Sequence, residues 1–444
     1  MKVKLIGKKN KRRYYIRDRS DLKNDGMAVF DRPTRGRFDH SQCILCRGTK
    51  YLCGKSRCPI LTKFYSKSRT ESLISSENLD GASPPSVFIG RIGYPKISIG
   101  PMIPPVHGDT AFMDTPELWW DIDIDNLIDF RTSLVRGKYQ VKVQDVLNQS
   151  KVVEYTREIA LAKTSPELEV KFTKSPTGHI SLSDSEQPHG PSAPLERISV
   201  DNIKLDHRIE KAYFDTDLKA REAVIDLHKN KVLVSSLQKA FSVGAFGLGD
   251  YRRFVPTRWS ITAVDSMLGE HLMKYTKNHN WINEYRVYEN YHLDNRWIVL
   301  MMPSEWCYEL IEAWYPDTAW NPSNSRISII SSHEHNQGRT TYAEIGGCYY
   351  AARLAVNEKL TQERKQAGVV IFRETHPGYI LPVGVWNVRE NVRKALINEP
   401  LKFDNIEFAL EYISSKMDIP IPQWIKHSAI LQEHMFQTKL DDFF

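Results

Sequence analysis

Four of the six cysteines stand within sixteen residues, as Cys43-x2-Cys46-x6-Cys53-x4-Cys58, and this cluster restricts the fold more than any other feature. A Cys-x2-Cys step brings two thiolates to one metal through a tight turn, and two further thiolates close a tetrahedral shell. Gly48 and Gly54 relax the turns between them. Arg47, Lys50, Lys55 and Arg57 favour the thiolate form and offset the excess charge of a zinc–tetrathiolate centre. The spacing therefore predicts a small four-cysteine zinc module over residues 38–65, with Zn2+ as its cofactor. His40 stands close enough to replace one ligand, and Pro59 after Cys58 keeps an iron–sulfur cluster as the alternative. A module this small buries too little surface to fold without its metal. Cys307 and Cys348 lie in apolar stretches and read as core residues.

The rest of the 444 residues is too long for one ordinary core, so two or three domains are expected. The net charge of +7 is unevenly placed. Residues 1–37 hold thirteen Lys and Arg, among them Lys8, Lys9, Lys11, Arg12 and Arg13, against four Asp. Such an arm can neutralise phosphates, so these five residues are candidate DNA contacts. No apolar run approaches the roughly 18 residues that span a bilayer, which predicts a protein without a membrane. The start, MKVKLIGKKNKRRYY, has no apolar segment of the secretory kind, and a cytoplasmic location is expected.

Residues 72–86, SLISSENLDGASPPS, read as a linker. The alternation of apolar runs with Gly and Pro in SVFIGRIGYPKISIGPMIPP predicts strands and turns. Residues 151–172 read as part helix and part strand, and 174–196 as a polar surface loop. Apolar residues at helical spacing predict one helix over 206–230. Further on, IVLMMP, SRISIISS and GVVIFRETH read as strands, and YYAARLAVNEKL and NVRENVRKALIN as helices. The fold class expected is thus a mixed α/β (α+β) core over 85–425, preceded by the four-cysteine module and followed by a flexible tail, 426–444.

That tail ends in QTKLDDFF, which places Gln437, Leu440, Phe443 and Phe444 on one side of a tight helical turn. A segment that orders on binding needs a few large anchors, and a leucine with two rings supplies them. This is the pattern of the PCNA-interacting peptide (PIP motif) that docks on DNA sliding clamps, so PCNA is the expected partner.

In the core, PTRWSITAVD carries Arg258, Trp259 and Asp265, and YYAARLAV and PVGVWNVRE carry Arg353 and Arg389. Brought together, these arginines suit a nucleotide or phosphodiester, with Trp259 or Trp386 stacking on a base. Arg91 and Tyr94 of GRIGYP belong to the same class of candidate. His333-x-His335 could begin a metal site but lacks a third ligand at the usual spacing; exposed loop histidines are the simpler reading. No P-loop or Rossmann spacing is present, which leaves ordinary ATPase or dehydrogenase chemistry without support.

A four-cysteine module near one end and a clamp-binding peptide at the other resemble the archaeal Nre DNA-repair proteins, of the NreA type. GRIGYPKISIGP (90–101), PTRWSITAVD (256–265), YYAARLAV (349–356) and PVGVWNVRE (382–390) resemble that family's recurring blocks. The resemblance implies a cytoplasmic archaeal protein that acts in DNA-damage repair and is recruited by the clamp. Two readings follow. One is an adaptor whose arm and zinc module bind DNA while the tail binds the clamp. The other is an enzyme on DNA or nucleotide adducts, a hydrolase of phosphoester or ADP-ribosyl bonds, built on the Arg/Asp/Trp residues of the core.

Overall fold

The computed structural model describes residues 45–52, 57–74, 76–148, 150–177, 189–316, 318, 320, 321 and 326–436. The basic arm with Lys8, Lys9, Lys11, Arg12 and Arg13, the ligand candidates Cys43 and Cys53, and the tail residues Gln437, Leu440, Phe443 and Phe444 lie outside the described residues. Two compact units are present, Arg37–His271 with Ile380–Glu390, and Leu272–Tyr379 with Asn391–Phe444. Each contains one six-stranded mixed sheet, so the chain is of mixed α/β class. Among the described residues, no helix is long and apolar enough to cross a membrane.

The N-terminal unit runs α1 (Pro59–Leu73), β1 (Asn78–Ala82), β2 (Val87–Ile89), β3 (Lys96–Ile103), α2 (Ile124–Ser133), β4 (Val135–Lys142), α3 (Lys151–Leu161), β5 (Glu167–Phe172) and β6 (Ser192–Asp201). Helices α4 (His207–Phe214), α5 (Ala220–Lys229), α6 (Val234–Ser242) and α7 (Thr257–Thr276) follow, and the unit boundary falls within α7. Its sheet has the order β1-β5-β6-β4-β3-β2, antiparallel except for β4 and β6. Strand β5 shows why: Leu168, Val170 and Phe172 are buried while Glu169 and Lys171 face water, the period of two that one covered sheet face requires. Helix α3 buries Val152, Val153, Thr156, Ile159 and Ala160, one stripe at helical spacing.

The structure departs from two expectations. The stretch read as a linker contains β1, whose Leu79 pairs with Val170 at the sheet edge. The helix expected over 206–230 is two helices. Asp215 Oδ1 accepts the Leu218 N–H at 3.1 Å, and the Thr216 carbonyl accepts from the Gly249 N–H at 2.9 Å, so both groups are drawn out of helical bonding.

The C-terminal unit contains β7 (Tyr285–His292), β8 (Asn295–Met302), β9 (Cys307–Trp314), β10 (Ser328–Glu334), α8 (Gly347–Glu363) and β11 (Gly368–Thr375). It continues with α9 (Trp386–Ile397) from Asn391, then β12 (Leu401–Phe403), α10 (Ile406–Lys416), α11 (Ile421–His427) and α12 (Ala429–Phe436). The order β10-β9-β11-β8-β7-β12 puts β11 at the centre, parallel to β9 and antiparallel to β8. All eight residues of β11 are buried, which accounts for its continuous apolar run. On one face Val370 and Phe372 join Ile298, Leu300 and Ile311 beneath Leu410, Ile413, Trp424, Ile425 and Leu431 of α10–α12. On the other, Tyr308 donates to the Tyr349 carbonyl of α8 at 3.0 Å.

Candidate functional site

Within the N-terminal unit, Asp265 of α7 and Arg389 of α9 meet. Arg389 Nη1 donates to Asp265 Oδ1 at 3.0 Å, and its Nε donates to Glu390 Oε1 at 2.9 Å. Gln238 Nε2 of α6 also donates to Asp265 Oδ1 at 2.8 Å, and Trp120 Nε1 to Glu390 Oε2 at 3.2 Å. Asp265 and Arg389 have no solvent exposure. Trp386 packs edge-on against Trp119 with ring centroids 4.9 Å apart and donates to the Val383 carbonyl at 2.8 Å. These groups tie three helices and a loop together.

Arg258 and Trp259, at the start of α7, stand in a different setting. Both are exposed, Trp259 to 47%, and Trp259 meets Tyr94, itself 53% exposed, at a ring-centroid distance of 5.3 Å. Tyr94 belongs to the turn between β2 and β3, where every residue from Arg91 to Lys96 is exposed. The Gly93 carbonyl accepts the Lys96 N–H at 2.9 Å, with Gly93 at φ +85°, a conformation that suits glycine. Three bonds hold this turn against α7. The Ile89 N–H donates to Thr257 Oγ1 at 3.1 Å, the Val143 N–H to the Pro95 carbonyl at 3.0 Å, and the Phe254 N–H to the Val143 carbonyl at 2.9 Å. Lys96 faces Lys142 directly across the β3–β4 ladder. Arg91, Tyr94, Arg258 and Trp259 stand out in the sequence one by one; the contact of Tyr94 with Trp259 is set by tertiary bonds and has no signal in local sequence.

Cys46 and Cys58 are the described members of the cysteine cluster. The Cys46 carbonyl accepts the Thr49 and Lys50 N–H groups at 3.1 and 3.2 Å, forming a tight turn through Gly48 at φ +71°. That turn passes Cys58: a Cβ on Gly48 would stand 3.5 Å from the Cys58 sulfur. The backbone N–H of Leu52, then those of Lys50, Gly48 and Tyr51, hold the Cys46 thiol below its ordinary pKa. A thiol whose ionised form is favoured by backbone donors, with a second cysteine sulfur against the same turn, fits a metal-thiolate centre.

Arg353 belongs to the C-terminal unit. It is buried in α8 and donates to Glu334 Oε2 at 2.8 Å, while Trp306 Nε1 donates to Glu334 Oε1 at 3.2 Å. His333 and His335 touch edge to face at 5.4 Å, and burial, with His335 beside it, lowers the His333 pKa. Two other groupings bring metal-ligand atoms together, Asp80–His107–Glu167 and Glu374–His376–Asp418. In both, the imidazole faces one carboxylate with each ring nitrogen: His107 Nδ1 lies 2.9 Å from Glu167 and Nε2 3.8 Å from Asp80. His376 Nε2 lies 3.7 Å from Glu374 and Nδ1 3.8 Å from Asp418. One ion cannot take both nitrogens of one ring, so these contacts suit bridging histidines better than metal centres.

Residues 52–321 match the family described as "Archaeal Nre, N-terminal", and 334–443 match "Archaeal Nre, C-terminal". "DNA repair protein NreB" of Archaeoglobus fulgidus is 38% identical over 397 residues, covering 89% of this chain and 98% of the relative. "DNA repair protein NreA" of the same organism is 36% identical, covering 85% and 94%. "DNA repair protein NreA" of Haloferax volcanii is 31% identical, covering 84% and 91%. No solved structure matches the chain. With both halves matched and relatives aligned over almost their full length, the chain belongs to the archaeal Nre family.

Proposed function

We propose that this protein is a DNA-repair factor brought to DNA by the PCNA sliding clamp. The observation that carries this reading is Gln437-x2-Leu440-x2-Phe443-Phe444, which begins at the residue after α12 ends. The names of the curated relatives, all DNA repair proteins, support the repair role. Lys8, Lys9, Lys11, Arg12 and Arg13 supply a charged contact to DNA phosphates, and the Cys43–Cys46–Cys53–Cys58 module, folded on zinc, supplies a second contact. Tethering by the tail raises the local concentration of both at DNA, so each contact can be weak.

Asp265, Arg353 and Arg389 are assigned to the fold in this reading, because each is buried against a carboxylate or arginine partner. The test is a calorimetric titration of PCNA with the full chain and with Phe443→Ala/Phe444→Ala. The double variant is expected to lose clamp binding while melting at the same temperature. Unaltered clamp affinity overturns the reading.

A further inference from the structure

We propose that the Tyr94–Trp259 pair is a stacking platform for unpaired bases of single-stranded DNA, with Arg91, Lys96, Lys142 and Arg258 receiving the adjoining phosphates. The inference rests on the repair reading only for the choice of DNA over RNA.

Turn tips are ordinarily polar, because apolar groups there gain nothing from folding. This one carries Ile92, 90% exposed, and Tyr94, half-exposed, and a half-exposed indole stands beside it on a different element. The backbone that carries the rings is tied together before any ligand arrives, since the N–H groups of Ile89, Val143 and Phe254 link the turn and its flanks to the start of α7. A ready-made aromatic surface costs little ordering on binding. Stacking on it needs a free base face, which a single strand offers and a paired duplex hides.

The charges point the same way. Lys96 and Lys142 stand directly opposite on neighbouring strands, an arrangement that is destabilising for like charges until an anion comes between them. Arg91 and Arg258 are exposed on the two segments that carry Tyr94 and Trp259. Among the described residues, none of these four side chains forms an ion pair or hydrogen bond. Exposed cations on the same segments as exposed aromatic rings suit a ligand that carries both phosphates and base faces, as a single strand does. A protein partner would have to match four unneutralised cations with carboxylates; a single strand supplies the anions with every nucleotide.

The test uses the full chain and a fluorescein-labelled oligo-dT of about 15 nucleotides, within the usual site size for such surfaces. Tyr94→Ala and Trp259→Ala are each expected to weaken binding roughly ten-fold, with blunt duplex binding unchanged and the circular dichroism intact. Trp259→Phe is expected to keep most of the affinity but to lose the tryptophan quenching seen when the wild type binds. Lys142→Gln and Arg258→Gln should each flatten the salt dependence by about 0.7 in log–log slope. If Trp259→Ala does not fold, Tyr94→Ala on the exposed turn carries the test. Oligo-dT binding indifferent to Tyr94 and Trp259 overturns this proposal and leaves the repair reading intact. A wild type that binds no DNA overturns both. A ten-fold preference for oligo-U over oligo-dT overturns the assignment to DNA.

Discussion

Arg389 Nη1 and Asp265 Oδ1 lie 3.0 Å apart with both side chains fully buried. Two residues that sequence placed in a candidate reaction site are thus a link between α7 and α9. Removing one member of a buried pair leaves an uncompensated charge, so Asp265→Ala is expected to destabilise the protein by about 3–5 kcal/mol. Replacing both by apolar residues of similar volume should recover much of that loss, because the unpaired charge disappears with its partner. Urea denaturation of the two variants checks this. An Asp265→Ala protein with wild-type stability would return Asp265 to the list of candidate reactive groups.

Glu309 supplies a pH dependence. It is buried in β9 and accepts the Ala429 and Ile430 N–H groups at 3.0 and 3.1 Å and the Ser428 hydroxyl, where α12 begins. Burial raises its pKa to about 7, with the Glu433 charge adding to the rise and these three bonds opposing it. A carboxyl with a raised folded-state pKa binds its proton more tightly in the native protein. Its contribution is therefore full below the unfolded value of about 4.3, falls as pH rises, and is lost once pH passes about 7. The span corresponds to roughly 4 kcal/mol. Glu309→Gln, which keeps a carbonyl acceptor for the helix start, should flatten the decline. Urea midpoints measured from pH 5 to pH 8 read it directly.

The parts of the fold legible in sequence are those where one local pattern decides the outcome. GVVIFRET is a buried strand because all its positions are covered, and ELEVKF alternates because one face is. Asn78–Ala82 has poor strand propensity and is held by pairing to β5, which no local pattern announces. The break after Phe214 depends on bonds to Gly249 and within the Asp215 turn, and helical periodicity passes over it. Similarly, residue type singled out Arg258, Trp259, Asp265 and Arg389 equally. Only tertiary packing separates the buried pair from the exposed one, because charge and aromaticity do not encode burial.

The β7–β8 hairpin offers a gain in stability. Leu293 and Asp294 form its two-residue loop at φ 51° and 53°, the left-handed pair of a type I′ turn. Asp tolerates this conformation and its side chain accepts the Tyr291 hydroxyl and the Gly378 N–H, whereas the left-handed region disfavours leucine. Leu293→Asn should therefore stabilise the protein by about 0.5–1 kcal/mol. Thermal melting of the variant decides the sign; a lowered melting temperature would show that the leucine side chain contributes more by packing than its backbone costs.

Zinc content tests the remaining module. Cys46, held toward the thiolate by the Leu52 N–H and its neighbours, and Cys58, whose sulfur lies against the Gly48 turn, are two of the four expected ligands. One zinc ion per chain is the expected result of elemental analysis, and Cys46→Ser or Cys58→Ser should lose most of it. Because thiolate ligands must be deprotonated, metal should also leave as the pH falls, with protons taken up in exchange. Chelation should lower the melting temperature of the N-terminal region, since binding free energy of a small metal module is folding free energy. Residues 57–74 give a local reading of this: α1 begins directly after Cys58, with Pro59 at its first position and the Cys58 carbonyl accepting from Thr62. Amide exchange in α1 should then rise on chelation, while exchange in the central strand β11 stays the same. Iron in place of zinc would identify a cluster instead, and a metal-free protein with fully protected α1 amides would remove the metal from the fold.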